Sequence, residues 1–124
     1  MLESEKLFEM YILAETFCSQ ADFSITFNKL KTLFLINKYQ PASAQLLLSK
    51  TGQIKSNFSA CCKELVKDGY IMSKKGSQDR RNRTYLITAD GALLLEEYFS
   101  KLETLLRAES LQIDGALEIL NKKV

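Results

Sequence analysis

One proline and five glycines in 124 residues leave few places where this chain can turn. Pro41 and the glycines at 52, 69, 76 and 91 divide it into segments of helical or strand length. Leu2 to Cys18 has apolar residues three and four apart (Leu7, Phe8, Tyr11, Ile12), with Met10, Leu13, Ala14 and Phe17 on a second face. A helix apolar on two faces is usually buried on two, and in so short a chain the second face is a candidate for contact with another chain. A second helix is expected over residues 24–39, with Phe27, Leu30, Leu33 and Phe34 inside and Lys29, Lys31 and Lys38 outside. Gln40-Pro41-Ala42-Ser43 reads as a helix start, with Ser43 as the cap of a short helix over residues 44–50 that Gly52 stops.

A fourth helix is expected over residues 55–68. Phe58, Cys61, Cys62, Leu65 and Val66 form its inward stripe, and Ser56, Asn57, Ser59, Ala60 and Lys63 its outer face. Gly69 ends it. Residues 70–75 and 83–87 read as two strands around the turn Gly76-Ser77-Gln78-Asp79. Thr88 and Asp90 suit the start of a long helix carrying Leu94, Tyr98, Leu102, Leu105 and Leu106, followed by a last helix over residues 108–121. The fold class expected is mainly α with a small β-hairpin wing: a winged helix-turn-helix flanked by helices. It is read as a single domain, residues 1–124, with the winged helix over residues 40–91 and the flanking helical regions over 1–22 and 92–124.

Composition excludes several classes of function. The chain has no histidine, which removes histidine triads, imidazole zinc sites and histidine pH switches. No paired carboxylates, nucleophile elbow or phosphate-binding glycine loop is visible, so an enzyme is not expected, nor a cofactor. The three cysteines, at 18, 61 and 62, are an odd set without a CxxC pair, which fits an intracellular chain rather than a disulfide scaffold. They read as packing residues. The acidic start, Met1-Leu2-Glu3-Ser4-Glu5, is no signal peptide, and the longest apolar run is five residues, Met10 to Ala14. A cytoplasmic location without a membrane partner is expected.

The formal net charge of +2 hides an asymmetry. Lys50 to Arg83 holds nine bases and three acids, a net +6, whereas the rest of the chain holds eight bases and twelve acids. A basic third within an acidic frame suggests a surface facing a polyanion. The helix order supplies the geometry. The second helix of a helix-turn-helix fits the major groove, and small or polar outer residues let its backbone approach base edges. Ser56, Asn57, Ser59 and Lys63 meet that requirement, with Ser43, Gln45 and Lys55 beside them. Arg80, Arg81 and Arg83 on the hairpin suit the minor groove or its phosphates.

These residues resemble a known family. Leu65-Val66-Lys67-Asp68-Gly69-Tyr70-Ile71 is similar to the exit of the MarR recognition helix. Asp79-Arg80-Arg81, followed by Leu86-Ile87-Thr88-x-x-Gly91, is similar to the family's wing signature, and chain length is similar to that of staphylococcal SarA-type regulators. The resemblance implies a homodimeric transcriptional regulator binding double-stranded DNA at a pseudo-palindromic operator, with residues 40–91 as the DNA-binding lobe and the first and last helices, within 1–22 and 92–124, as the α-helical dimerisation region. It implies that Arg81 enters the minor groove, held in pose by Asp79. It also implies a small-molecule effector pocket, for which Tyr11, Phe17, Phe23, Phe27 and Tyr39 are candidates, although aromatics at this spacing also read as core. Two departures stand out: Ile54 or Lys55 replaces a polar or acidic helix start, and Leu46 occupies a usually polar position. Two alternative readings are a winged-helix module for plasmid partition, replication or protein–protein contact, and a thiol-based redox-sensing regulator.

Overall fold

The computed structural model describes residues 2–20, 25–75 and 83–108. Five helices and three short strands follow in the order α1 (Leu2–Gln20), α2 (Phe27–Tyr39), β1 (Ala42–Ser43), α3 (Ala44–Thr51), α4 (Lys55–Lys67), β2 (Ile71–Lys75), β3 (Arg83–Ile87) and α5 (Ala89–Ala108). The chain is mainly helical with a small antiparallel sheet, as expected from sequence. It divides into two compact units.

The first unit spans residues 25–96 and is organised around α2, which packs against α3, α4, β1 and β3. Thr26 caps α2, its hydroxyl accepting from the Lys29 backbone N–H at 3.3 Å. Leu30, Leu33 and Ile36 are buried, together with the polar Thr32. The inner stripe expected from Phe27 to Phe34 is therefore rotated: Phe34 is exposed, and Thr32 takes an interior position that its hydrogen bonds make tolerable. Lys29 and Lys31 are not the free outer cations expected. Lys29 pairs with Glu64 of α4, and the Lys31 Nζ donates to the Thr51 carbonyl at 3.0 Å.

The sheet has the order β1-β3-β2 and is antiparallel throughout. Ala42 and Ser43, expected only as a helix start, pair with Tyr85 and Thr84 and so add a third strand to the two-stranded hairpin. Ser43 keeps its expected role as well, its hydroxyl accepting from the Leu46 backbone N–H at 3.1 Å to cap α3. Gly52 closes α3 in the left-handed region at φ 69°.

The two sequence motifs meet at one junction. At the end of α4 the Gly69 N–H donates to the Val66 carbonyl and the Tyr70 N–H to the Leu65 carbonyl, a Schellman motif with Gly69 at φ 82°. The Thr88 hydroxyl then donates to the Gly69 carbonyl at 2.6 Å and accepts from the Gly91 N–H at 3.1 Å, capping α5. The Thr88 N–H donates to the Tyr70 carbonyl at 3.1 Å. Gly91 lies against that same carbonyl, so closely that a Cβ there would collide with it.

The second unit comprises residues 1–24 and 97–124. Within it the Tyr98 hydroxyl donates to the Ala14 carbonyl at 2.9 Å, and the Phe17 and Tyr98 rings lie 5.8 Å apart. Cys18 is the one buried residue of α1, and Leu2, Leu7, Phe8, Tyr11 and Ile12 are exposed. Among the described residues of α1 burial is confined to Cys18, short of the two-sided burial read from its sequence. The last expected helix, 108–121, lies outside the described residues apart from Ala108, which ends α5.

All three cysteines are buried and unbridged. Cys61 and Cys62 take core positions on α4 with Phe58 and Leu65, whereas Val66, expected among them, is exposed. Burial pushes all three thiols up, Cys62 to about 12 even though its hydrogen bond with Tyr85 acts the other way. Two measurements check this account. Replacing Gly91 with alanine should lower stability by about 1–3 kcal/mol in denaturant unfolding, through overpacking against Tyr70. In the native protein at neutral pH all three thiols should react with a disulfide reagent only as fast as the fold opens. Because the folded pKa of Cys62 lies above the ordinary 9.0, its contribution to stability is present below pH 9.0 and is lost as pH rises towards about 12.

Candidate nucleic-acid interface

Helix α4 separates its residues cleanly by face. Phe58, Cys61, Cys62 and Leu65 point into the core. Lys55, Ser56, Asn57, Ser59, Ala60 and Lys63 are all exposed. Spacing produces this division, because residues three and four apart share a face. Asn57, Ser59 and Ala60 keep the outer face low, so that a groove can approach the backbone closely.

The N-terminus of α4 starts at Ile54, which makes no side-chain cap hydrogen bond. The apolar residue standing where a polar cap was expected leaves the first N–H groups of the helix unoccupied by any capping side chain. Lys55 begins the helix on that same end. The positive end of the helix dipole and a lysine thus coincide beside Ser56 and Asn57, an arrangement that favours an anionic oxygen.

The other sequence-derived candidates are placed as follows. Gln45 is exposed on the first turn of α3, two residues beyond Ser43, which ends β1. Ser43 is half-buried, and its hydroxyl oxygen is engaged in the cap. Leu46, at the usually polar position, is half-buried rather than fully exposed. Arg83 opens β3 and is exposed, paired in register with Lys75 of β2. Asp79, Arg80 and Arg81 lie outside the described residues. Among the effector-pocket candidates, Tyr11 is exposed and Phe17 half-buried in the unit of α1, and Phe27 and Tyr39 are half-buried in the unit of α2. Phe23 lies outside the described residues.

Sequence reasoning missed the groups that hold α4 from behind. Lys29 pairs with Glu64, which raises the lysine pKa and lowers that of the carboxylate, each mainly through their shared hydrogen bond. The Gln53 side chain donates to the Thr32 hydroxyl at 3.0 Å, and the Cys61 thiol approaches the same oxygen at 3.6 Å. These partners lie 21 and 29 residues from Thr32, so no local spacing rule could reveal them. The one available signal was a threonine on the apolar side of α2.

Among the described residues no cluster of three His, Cys, Asp or Glu side chains is placed to hold a metal, and no helix is long and apolar enough to cross a membrane. No family model matches the sequence, and no curated protein matches it. Solved structures do match its fold. A cysteine-to-serine variant of MarR from E. coli superposes with a TM-score of 0.80 at 20% identity, over 98% of this chain and 92% of that one. MarR of Staphylococcus aureus, in complex with salicylate and kanamycin, gives 0.72 at 18% identity, over 98% and 90%. Streptococcus pneumoniae FabT, in complex with DNA, gives 0.68 at 17% identity, over 96% and 92%. At this level of identity the likeness is one of architecture: the chain has the winged-helix fold of MarR-family transcriptional regulators.

Proposed function

We propose that this chain is a MarR-type transcriptional regulator that binds double-stranded DNA as a homodimer and is not an enzyme. The exposed face of α4 carries the reading: Lys55, Ser56, Asn57, Ser59 and Lys63 stand free on the second helix of a helix-turn-helix. In this reading α4 enters the major groove, with Ser43 and Gln45 at the adjoining phosphates. Arg83 and, beyond it, Arg80 and Arg81 reach the minor groove from the wing, with Asp79 orienting Arg81. FabT, similar in fold and solved in complex with DNA, supports DNA binding by this fold.

The homodimer reading rests on α1. Leu7, Phe8, Tyr11 and Ile12 form one exposed apolar strip, with Leu2 also exposed near the helix start. An exposed apolar strip of this kind is unusual on an isolated domain and suits a second copy of the same surface. Two copies would present two α4 helices to a pseudo-palindromic site. A small-molecule effector belongs to the same reading, as the salicylate-bound S. aureus relative suggests. Thiol sensing is disfavoured, because all three cysteines are buried and none has a lowered pKa.

Selection of bound sequences from random DNA by the purified protein should return a two-fold symmetric site whose affinity falls steeply with salt. No enrichment, or a flat salt response, would remove the DNA-binding reading. Arg81→Ala should weaken binding to that site by roughly 1–3 kcal/mol, measured by gel shift. In sedimentation the native chain should run as a dimer. Phe8→Glu, or deletion of the residues after Arg107, should give monomers with reduced DNA affinity.

A further inference from the structure

The Thr32 hydroxyl has one proton to donate and two acceptor positions. All three are used. It donates to the Asn28 carbonyl at 2.8 Å, accepts from the Gln53 amide at 3.0 Å, and accepts from the Cys61 thiol at 3.6 Å. The residue is fully buried, so none of these bonds is replaced by water. Its partners lie on three elements: Asn28 on α2, Gln53 in the turn between α3 and α4, and Cys61 on α4. Burial keeps the Cys61 thiol protonated at neutral pH and so able to donate. A second bond reinforces the turn: the Gln53 N–H donates to the Thr51 hydroxyl at 3.4 Å, while Lys31 holds the Thr51 carbonyl.

Hydrophobic packing alone would let α4 slide or roll by a fraction of a turn, because apolar contacts are not directional. Hydrogen bonds to a single oxygen fix both distance and angle. Cys61 is adjacent to Ala60 and two residues from Ser59 and Lys63 on the exposed face. Any roll of α4 that moved Cys61 off Thr32 would re-aim those residues. We infer that Thr32 and Gln53 are positioning residues for DNA reading, their junction with Cys61 fixing the pitch of α4 and hence which sequences it accepts. This rests on the DNA-binding reading above.

Three variants test it. Thr32→Val keeps the shape and removes the hydroxyl, Thr32→Ser keeps the hydroxyl, and Gln53→Leu removes the turn's donor. The readouts are the ratio of affinities for the selected site and for scrambled DNA at fixed salt, the salt slope, and amide exchange over residues 55–61. Thr32→Val and Gln53→Leu should lower the affinity ratio about tenfold, and Thr32→Ser should preserve it. The salt slope should stay unchanged, because no phosphate contact is lost. Exchange over residues 55–61 should quicken in the first two variants only. An unchanged ratio in Thr32→Val, or a Thr32→Ser variant as impaired as Thr32→Val, would overturn the inference. If Thr32→Val fails to fold, Gln53→Leu decides by the same ratio. If the native protein binds no DNA, the functional reading fails, and exchange alone judges the junction: unchanged exchange in Thr32→Val and Gln53→Leu overturns it.

Discussion

The winged-helix unit depends on one buried helix. α2 is enclosed by α3, α4, β1 and β3, and its Leu33 and Ile36 have no exposed surface. Burying such side chains fully contributes about 1.5–3 kcal/mol each relative to exposure, and cavities cost more than the lost transfer energy. α2 exposes Asn28, Phe34, Asn37 and Lys38, and its interior side leaves no room for an unsatisfied polar group. Its one interior polar residue, Thr32, therefore must find partners, and it finds them on the elements packed around it. The central core and the polar junction are two consequences of the same enclosure.

The same logic holds α4 along its length. Gln53 and Thr32 hold its approach, Cys61 its middle, Lys29 its Glu64, and the Gly69–Thr88 bond its exit. Apart from the Glu64 carboxylate, which is exposed, these contacts lie on the inner side or at the ends. The outer side is left to Lys55, Ser56, Asn57, Ser59 and Lys63. A surface that must recognise another molecule is most specific when its own side chains have few internal obligations and its backbone has many.

Much of the fold was legible in the sequence, and the reasons are local. The periodicity of α4 separates Phe58, Cys61, Cys62 and Leu65 from the exposed polar residues, and burial follows that separation. Ser43, Gly52, Gly69 and Thr88 perform the capping and stopping roles that their chemistry suggests. Where reading failed, the deciding partner was distant. β1 is two residues long with no pattern of its own, and exists because Tyr85 and Thr84 pair with it. Phe34 and Val66 carry apolar spacing as good as their neighbours', yet both are exposed. Lys29 and Lys31 looked like surface charges until α4 and α3 supplied their partners.

By itself the sequence determined where α1 to α5 lie, though not where α2 begins, together with the polar face of α4, the turn chemistry and the exclusion of histidine-based catalysis. These are properties of residue type and spacing within about one or two helical turns. Only the tertiary structure decided which face of α2 is interior, that the sheet has three strands, and that the two MarR-like motifs form one junction through Gly69, Thr88 and Gly91. The reason is physical. A hydrogen bond or a close backbone approach between residues tens of positions apart depends on how the elements pack, and the spacing of residues within one element carries no record of it.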